Sequence, residues 1–491
     1  SVAIKARKYL LNVLKENGIR GDDFAVAAAI LLGYDQLLEP ELEQSYVTAG
    51  AMHILCVSGL HVGIIYLVLN FLLGFLRKNK FQKALKVVLL LGIIWFYALL
   101  TGFSPSVQRA SVMISLYIIA NMSSKQKDVY NTLAASAVIL LFTNPILIFN
   151  VGFQLSYTAV LGILLFYKPI AGIFYIKNQI IRKVWEVVAV SAAAQLGTFP
   201  LAAHYFHFFP TYFWLTNIFI FPLSFAIVGA GMLLMAISWI PVISNVVGII
   251  LSGFVFLLNF IVSAVKQLPY NGIHDLYFPW PKVFVVYIFI LILIPLLLKG
   301  KIKLLLPCLV TLLFILLLNT NHRLQVFQQN RLAVYSIKQS TAIDFIKADN
   351  HILLVDSMLM EDDMKLDYQL SNCRISWGLE ENNQSVNGSF NNEKLSLYYD
   401  GQFGSFGHMT FLRISNQEPF PIHDPLKLDF IIVSGKKRLN VEKLLKAVTL
   451  NFLIIDSSVP YWKQKKIEEQ AKLLQLNYFN VNKQGAYIVN L

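Results

Sequence analysis

The sequence predicts a mainly α, polytopic membrane protein of about ten transmembrane helices, followed by a soluble α/β domain. Three observations predict it. First, 56% of the 491 residues are hydrophobic and only 14% are charged, against about 25% charged in an ordinary soluble protein. Second, apolar runs of spanning length recur along residues 57–319. Third, the character changes after residue 321: residues 322–491 carry 19 basic and 18 acidic side chains, a net +1, whereas residues 1–321 carry 22 basic and 10 acidic, a net +12.

The first fifty residues are mixed. Lys5, Arg7 and Lys8 precede a helical stretch, Phe24–Leu32 is apolar but too short to span, and Glu39, Glu41 and Glu43 follow. Residues 1–50 are therefore expected to be amphipathic helices at the membrane surface. Residues 51–320 form the membrane domain. Its apolar segments fall at about 57–76, 87–101, 105–122, 131–149, 152–175, 184–204, 212–239, 243–265, 282–298 and 304–319. The short pair 87–101 and 105–122, with Gly102 and Pro105 between, is read as broken or re-entrant helices.

Basic residues orient the spans. Arg77, Lys78, Lys80, Lys83 and Lys86 fill the first connection, Lys125 and Lys127 the third, Lys177, Arg182 and Lys183 the fifth, and Lys299, Lys301 and Lys303 the ninth. The second, fourth and sixth connections, near 102–104, 150 and 205–211, carry none. Positive charge stays inside, so odd-numbered connections are expected in the cytoplasm. Residues 1–50 and 321–491 are then extracytoplasmic. The basic excess is thus assigned to topology before nucleic-acid binding.

Residues 321–491 read as an α/β domain. Leu332–Ile337, Ala342–Lys347 and Ile352–Val355 are β-type runs. The alternation Leu428–Val433, Val441–Val448, Phe452–Ile455, Trp462–Leu474 and Tyr478–Val481 follows, and the Asn-, Gly- and Ser-rich stretch 377–408 is expected to be loop. Cys56, Cys308 and Cys373 lie far apart and imply no disulfide framework or metal spacing. The chain opens at Ser1 without a Met, so an upstream portion is expected.

Four polar clusters interrupt the apolar runs. Burying such groups in lipid is costly, so each should face a partner or a wet path. The first contains His53, Ser58, Gly59, His61 and Gly63. Ser58 and His61 share a helix face, and Gly59 and Gly63 permit close backbone approach. This cluster reads as a small-residue packing face, a pore lining, or a Ser58–His61 nucleophile and base. The second is Gly102-Phe-Ser-Pro-Ser-Val-Gln-Arg109-Ala110, where Arg109 either snorkels to the interface or marks the mouth of an anion path. The third includes Asn144-Pro145 and Gly152-Phe-Gln154-Leu-Ser156-Tyr157. The fourth is Gln195-Leu-Gly-Thr-Phe-Pro200, with His204 and His207. Gln154, Ser156 and Gln195 are uncharged groups that serve either as helix glue or as donors to an anion.

These four segments, in this order, resemble the competence domain of the ComEC family of DNA-internalisation channels. The likeness covers about residues 25–270 and includes Leu31-Leu32-Gly33 and Glu39. It implies a multi-pass protein of the bacterial inner membrane that passes single-stranded DNA into the cytoplasm during natural transformation. The path would be lined by His53, Ser58, Gly59, His61, Arg109, Gln154, Ser156, Gln195 and Pro200. It also implies an external metallo-β-lactamase-like domain, which residues 331–356 and 428–491 resemble. That fold's HxHxDH set, which would hold metal and activate water, is not matched by His322, His351, His408 and His423. Asp356-Ser357 retains one acidic turn. The domain is thus read as metal-free, with no cofactor, and nuclease activity is not expected.

The chain has no GxxxxGK[ST] loop. Pulling is therefore expected from a cytosolic ATPase, helicase or single-strand-binding protein, with an extracytoplasmic receptor delivering DNA. The rival readings are a membrane hydrolase using Ser58 and His61, and a small-anion or lipid transporter.

Overall fold

The computed structural model describes all residues except 1, 77–78, 123–127, 361–362, 380–383, 387, 416–425 and 437–438. Arg77, Lys78, Lys125, Lys127 and His423 lie outside the described residues. The chain divides into two compact units, Ser1–Thr311 and Leu312–Leu491.

The first unit is helical. Its opening helices are α1 (Val2–Glu16), α2 (Gly21–Leu32), α3 (Pro40–Thr48) and α4 (Met52–Leu55). Every residue from Phe24 to Leu32 is buried, so α2 is not an amphipathic surface helix. A helix apolar all round belongs inside. Gly231 and Gly248, in two later helices, make the room. A Cβ at Gly231 would meet the Leu31 side chain at 2.5 Å, and one at Gly248 would meet the Asn17 carbonyl at 2.4 Å. The sequence-based surface placement therefore fails for α2.

Ten further helices occupy the ten expected segments: α5 (Gly59–Leu72), α6 (Lys80–Leu100), α7 (Pro105–Met122), α8 (Val129–Thr143), α9 (Val151–Ala171), α10 (Gln179–Phe206), α11 (Phe213–Ile237), α12 (Pro241–Lys266), α13 (Trp280–Lys299) and α14 (Leu305–Gln328). Among the described residues, seven are long and apolar enough to cross a bilayer: α6, α9, α10, α11, α12, most of α13, and Ile302–Gln328, which takes in α14. Helix α8 has 15 residues, roughly 22 Å at 1.5 Å each, short of a hydrocarbon core of about 30 Å. Helix α5 is shorter still. Helix α7 is long enough but carries Ser106, Gln108, Arg109 and Ser111 in its first turns. Helix α6 is a single 21-residue helix rather than a broken one. It starts at Lys80, so Lys80, Lys83 and Lys86 ride on its first turns instead of a loop. Two short strands, β1 (Phe209–Pro210) and β2 (Gly272–Ile273), pair beside the ends of α10 and α12.

The second unit is a four-layer sandwich. Strands β3 (Asn330–Val334), β4 (Ala342–Lys347), β5 (Asn350–Val355) and β6 (Gln384–Val386) are followed by β7 (Phe390–Asn392), β8 (Leu397–Tyr399), β9 (Phe403–Phe406), β10 (Met409–Ile414), β11 (Leu426–Val433), β12 (Val448–Ile455), β13 (Tyr478–Asn480) and β14 (Tyr487–Asn490). One sheet runs β14-β3-β4-β5-β6 and the other β13-β12-β11-β10-β9-β8-β7.

Period-two alternation builds the layers. Leu332, Val334, Ile343, Phe345, Ile352 and Leu354 meet Phe411, Phe430, Ile432 and Ile454 between the sheets. Helices α15 (Ser357–Met360), α16 (Asp363–Trp377), α17 (Val441–Ala447) and α18 (Tyr461–Leu473) flank the strands, and the intervening Ile431, Val433, Leu453 and Ile455 face α17 and α18. Ala333, Tyr335, Leu353 and Val355 face the helix Asp363–Trp377 on the opposite side. The expected loop over 377–408 therefore holds four short strands, β6 to β9. Strands β6 and β7 are sheet edges, and all four run for only three or four residues among Asn, Ser and Gly, which local composition does not separate from loop. Strands β10 to β13 are parallel, so their carboxyl ends share one rim.

Candidate functional site: a buried arginine between three helices

The first three polar clusters come together at Arg109. Residues Asn150, Asp128 and Ser58 cap the helices α9, α8 and α5, each accepting a backbone N–H. Helix α5 starts with a capping box. The Ser58 hydroxyl accepts the Leu60 N–H at 3.2 Å, and the Ser58 N–H donates to His61 Nδ1 at 2.9 Å. That donation makes Nδ1 the unprotonated nitrogen, so the proton of the neutral ring sits on Nε2. His61 is 0% exposed and its Nε2 has no hydrogen-bond partner among the described residues.

Arg109 is five residues into α7 and 8% exposed. Its Nη1 donates to the Ser156 carbonyl of α9. Its guanidinium lies 5.8 Å from the centroid of the Tyr157 ring. A Cβ at Gly59, the first residue of α5, would sit 2.8 Å from Nη2. Glycine is thus what lets the α5 start approach the guanidinium. Arg109 Nε is buried without a hydrogen-bond partner, and the residue forms no ion pair among the described residues. The guanidinium therefore lies beside the start of α5 and against the second turn of α9, without an ion-pair partner among the described residues.

The other sequence-predicted residues are placed less centrally. Gln154 donates to the Ile148 carbonyl at 2.8 Å and accepts from the Tyr205 hydroxyl at 3.0 Å, so it ties α9 to α10. Ser156 contributes its carbonyl. Gln195 makes no side-chain hydrogen bond among the described residues, and Pro200 is buried inside α10. His53 lies on α4 and is exposed to the surroundings of the chain. The Nδ1 atoms of His204 and His207 meet the Phe278 and Leu276 carbonyls at 2.6 and 3.0 Å. Tyr157, Tyr205 and Tyr287 carry contacts that sequence reasoning missed. Tyr157 follows Ser156 directly, and only the fold sets its ring by Arg109.

In the second unit, no group of three His, Cys, Asp or Glu side chains is arranged to hold a metal among the described residues. His351 Nδ1 pairs with Asp344 at 2.9 Å inside the sheet. Asp356 accepts from Arg413 Nη2 at 3.1 Å and from the Thr341 N–H at 2.8 Å. Asp456, at the end of β12, is fully buried. It accepts from the hydroxyls of Thr341 at 2.5 Å and Ser458 at 2.6 Å.

Burial pushes the Asp456 carboxyl up to about 6, against the lowering effect of those hydroxyls. A folded-state pKa above the unfolded value means that the stability it confers is present in full below about 4 and is lost as pH rises through 6. Asp456→Asn is expected to remove that loss, on the order of 2 kcal/mol. Chemical denaturation at pH 4.5 and 7.5 measures it; an unchanged pH slope would clear Asp456 of the effect.

The chain matches the family model "Competence protein" over residues 30–303 and the model "ComEC C-terminal domain" over residues 332–491. It is 30% identical over 221 residues to ComE operon protein 3 of Bacillus subtilis (strain 168), covering 44% of this chain and 27% of that protein. It is 31% identical over 228 residues to an uncharacterized protein of Aquifex aeolicus (strain VF5), covering 46% and 51%. It is 28% identical over 157 residues to Competence protein ComA of Neisseria gonorrhoeae, covering 30% and 22%. These matches span about half or less of each relative's length. No solved structure matches the chain. With an apolar helical unit that carries the four polar segments in order, and a sandwich unit matched in turn, the chain belongs to the ComEC family of competence proteins.

Proposed function

We propose that this protein is the inner-membrane channel through which single-stranded DNA enters the cytoplasm during transformation. The observation that carries the reading is Arg109: a buried guanidinium between α5, α7 and α9, with no carboxylate paired to it among the described residues. A buried charge that serves only folding is normally paired. Here the free Nε–H and the His61 Nε2–H are donors suited to passing phosphates. Gln154, Ser156, Gln195, Gly59, His53, Ser58 and Pro200 complete the proposed path or its packing.

An inside-negative potential opposes each inward phosphate charge by about 2.3 kcal/mol per 100 mV. The path therefore needs an inward pull, assigned here to a cytosolic ATPase or single-strand-binding protein. The loop charges support odd-numbered connections in the cytoplasm and the sandwich unit outside. Deleting the gene in a transformable host and following labelled DNA tests the reading. DNA should reach the periplasm and stop there; normal cytoplasmic entry would sink the channel assignment.

The hydrolase reading is disfavoured by the capping box. His61 Nδ1 accepts the Ser58 backbone N–H at 2.9 Å and lies 3.1 Å from the Ser58 hydroxyl, so one lone pair is shared between cap and hydroxyl, and no carboxylate orients the ring from Nε2 among the described residues. Ser58→Ala is expected to cost about 1 kcal/mol of stability, as for a lost helix cap, and to leave most uptake intact. Uptake as low as in the deletion strain, with normal folding, would restore a nucleophilic role.

A further inference from the structure

We propose that the second unit holds a metal-independent receptor for a nucleotide phosphate, in a cleft at the carboxyl rim of its parallel strands. The proposal deepens the DNA-uptake reading and rests on it for the source of the ligand, but its geometry lies wholly within residues 336–482.

The cleft encloses about 1420 Å³. Its wall is made where strands stop: Ser415 after β10, Ser434-Gly435-Lys436 after β11, Ser457-Ser458 after β12, and Asp356-Ser357 after β5. The β3–β4 turn adds Lys338 and Ser340. Ligands of sheets with parallel strands bind beyond the carboxyl ends, where chain reversals leave backbone groups unsatisfied. Hydroxyls predominate among the strand-end side chains that line this rim, with Asp356 the carboxylate among them.

Charge selects the ligand class. Three cations line the cleft, Lys338, Arg413 and Lys436, against two carboxylates, Asp356 and Asp400. Both carboxylates are already engaged. Asp356 holds Arg413 and the Thr341 N–H, and Asp400 accepts the Gln402 and Phe403 N–H groups at 2.8 and 2.7 Å. Lys338 is exposed and forms no ion pair among the described residues. Ser457 Oγ is buried without a hydrogen-bond partner. An oxyanion bearing several acceptors matches a rim of lysine and hydroxyl donors.

Aromatic surface then favours a nucleotide over a bare anion. Tyr461 lines the cleft and is 70% exposed. It opens α18, whose next residue, Trp462, is 58% exposed with the Lys463 ammonium 4.9 Å from its ring. Lys465 and Lys466 are exposed on the same helix. A flat aromatic ring beside a basic groove is how proteins hold single-stranded nucleic acid without reading sequence. The phosphate is therefore placed at Lys338, Gly435 and Lys436, and a base on Tyr461.

The test uses the full chain in lipid nanodiscs and a fluorescent 5′-phosphorylated oligothymidylate, read by anisotropy with EDTA present. Binding is expected to persist in EDTA. The double variant Lys338→Ala/Lys436→Ala and the variant Tyr461→Ala should each weaken it by about tenfold. All three residues sit on exposed surface, so folding should hold, and a thermal melt verifies it. Thymidine monophosphate should compete at lower concentration than inorganic phosphate. Wild-type affinity in both variants, loss of binding in EDTA, or equal competition by phosphate would each overturn the proposal. Arg109→Ala separates this proposal from the channel reading. If cleft variants bind normally while Arg109→Ala blocks uptake, only the receptor falls; if they lose binding while Arg109→Ala takes up DNA normally, only the channel does.

Discussion

Arg109→Ala is expected to cut cytoplasmic DNA uptake by about 10- to 100-fold, the equivalent of the roughly 1.5–3 kcal/mol carried by a hydrogen bond to a charged group. The protein should still reach the membrane. An arginine at membrane depth costs about 2.5–3.5 kcal/mol on insertion scales, so alanine there eases insertion. Weaker uptake with unchanged or higher thermal stability is the signature of a group retained for function. Lysine should not rescue it. Its ammonium is a point charge on a flexible stem and cannot both reach the Ser156 carbonyl and lie over the Tyr157 ring as the planar fork does. Uptake of protected labelled DNA, alongside a melt of the purified variant, decides the matter. Full uptake would remove Arg109 from the path, and equal losses of uptake and stability would make it structural.

Gly197→Leu should damage the membrane unit most. Helices α9 and α10 cross backbone to backbone at Gly162 and Gly197. A Cβ at Gly197 would lie 2.2 Å from the Thr158 carbonyl oxygen and 2.9 Å from the Gly162 Cα. The obstructing atoms are backbone, so no rotamer change relieves the clash, and the helices must part. The same crossing holds the Tyr287 hydroxyl on the Gly197 carbonyl at 2.9 Å and supports Gln154 against Tyr205. Overpacking of this kind costs about 3 kcal/mol or more. The matched control is Gly253→Leu on α12, where nothing lies within 4 Å of an added Cβ. A large fall in melting temperature and membrane yield is expected for Gly197→Leu alone. Equal tolerance at both glycines would mean that the crossing is looser than drawn.

Some of this was legible along the chain. Apolar run length and loop charge depend on local composition, so ten helices fell where ten segments were expected. The strand and helix alternation after residue 426 was equally local. What failed was whatever depended on neighbours. Helix α2 reads as a short surface segment because nine apolar residues cannot span, yet small residues on α11 and α12 admit it to the core. The strands over 384–406 read as loop because each is only three or four residues long and sits among Asn, Ser and Gly.

By itself, the sequence determined the apolar helical unit, the α/β unit and the order of four polar segments, since each is written in contiguous composition. Only the tertiary structure decided that Arg109 meets Gly59, Ser156 and Tyr157, and that serine and lysine at five strand ends share one rim. Those meetings join residues tens of positions apart. They depend on helix crossings and strand register, which no local window of sequence contains.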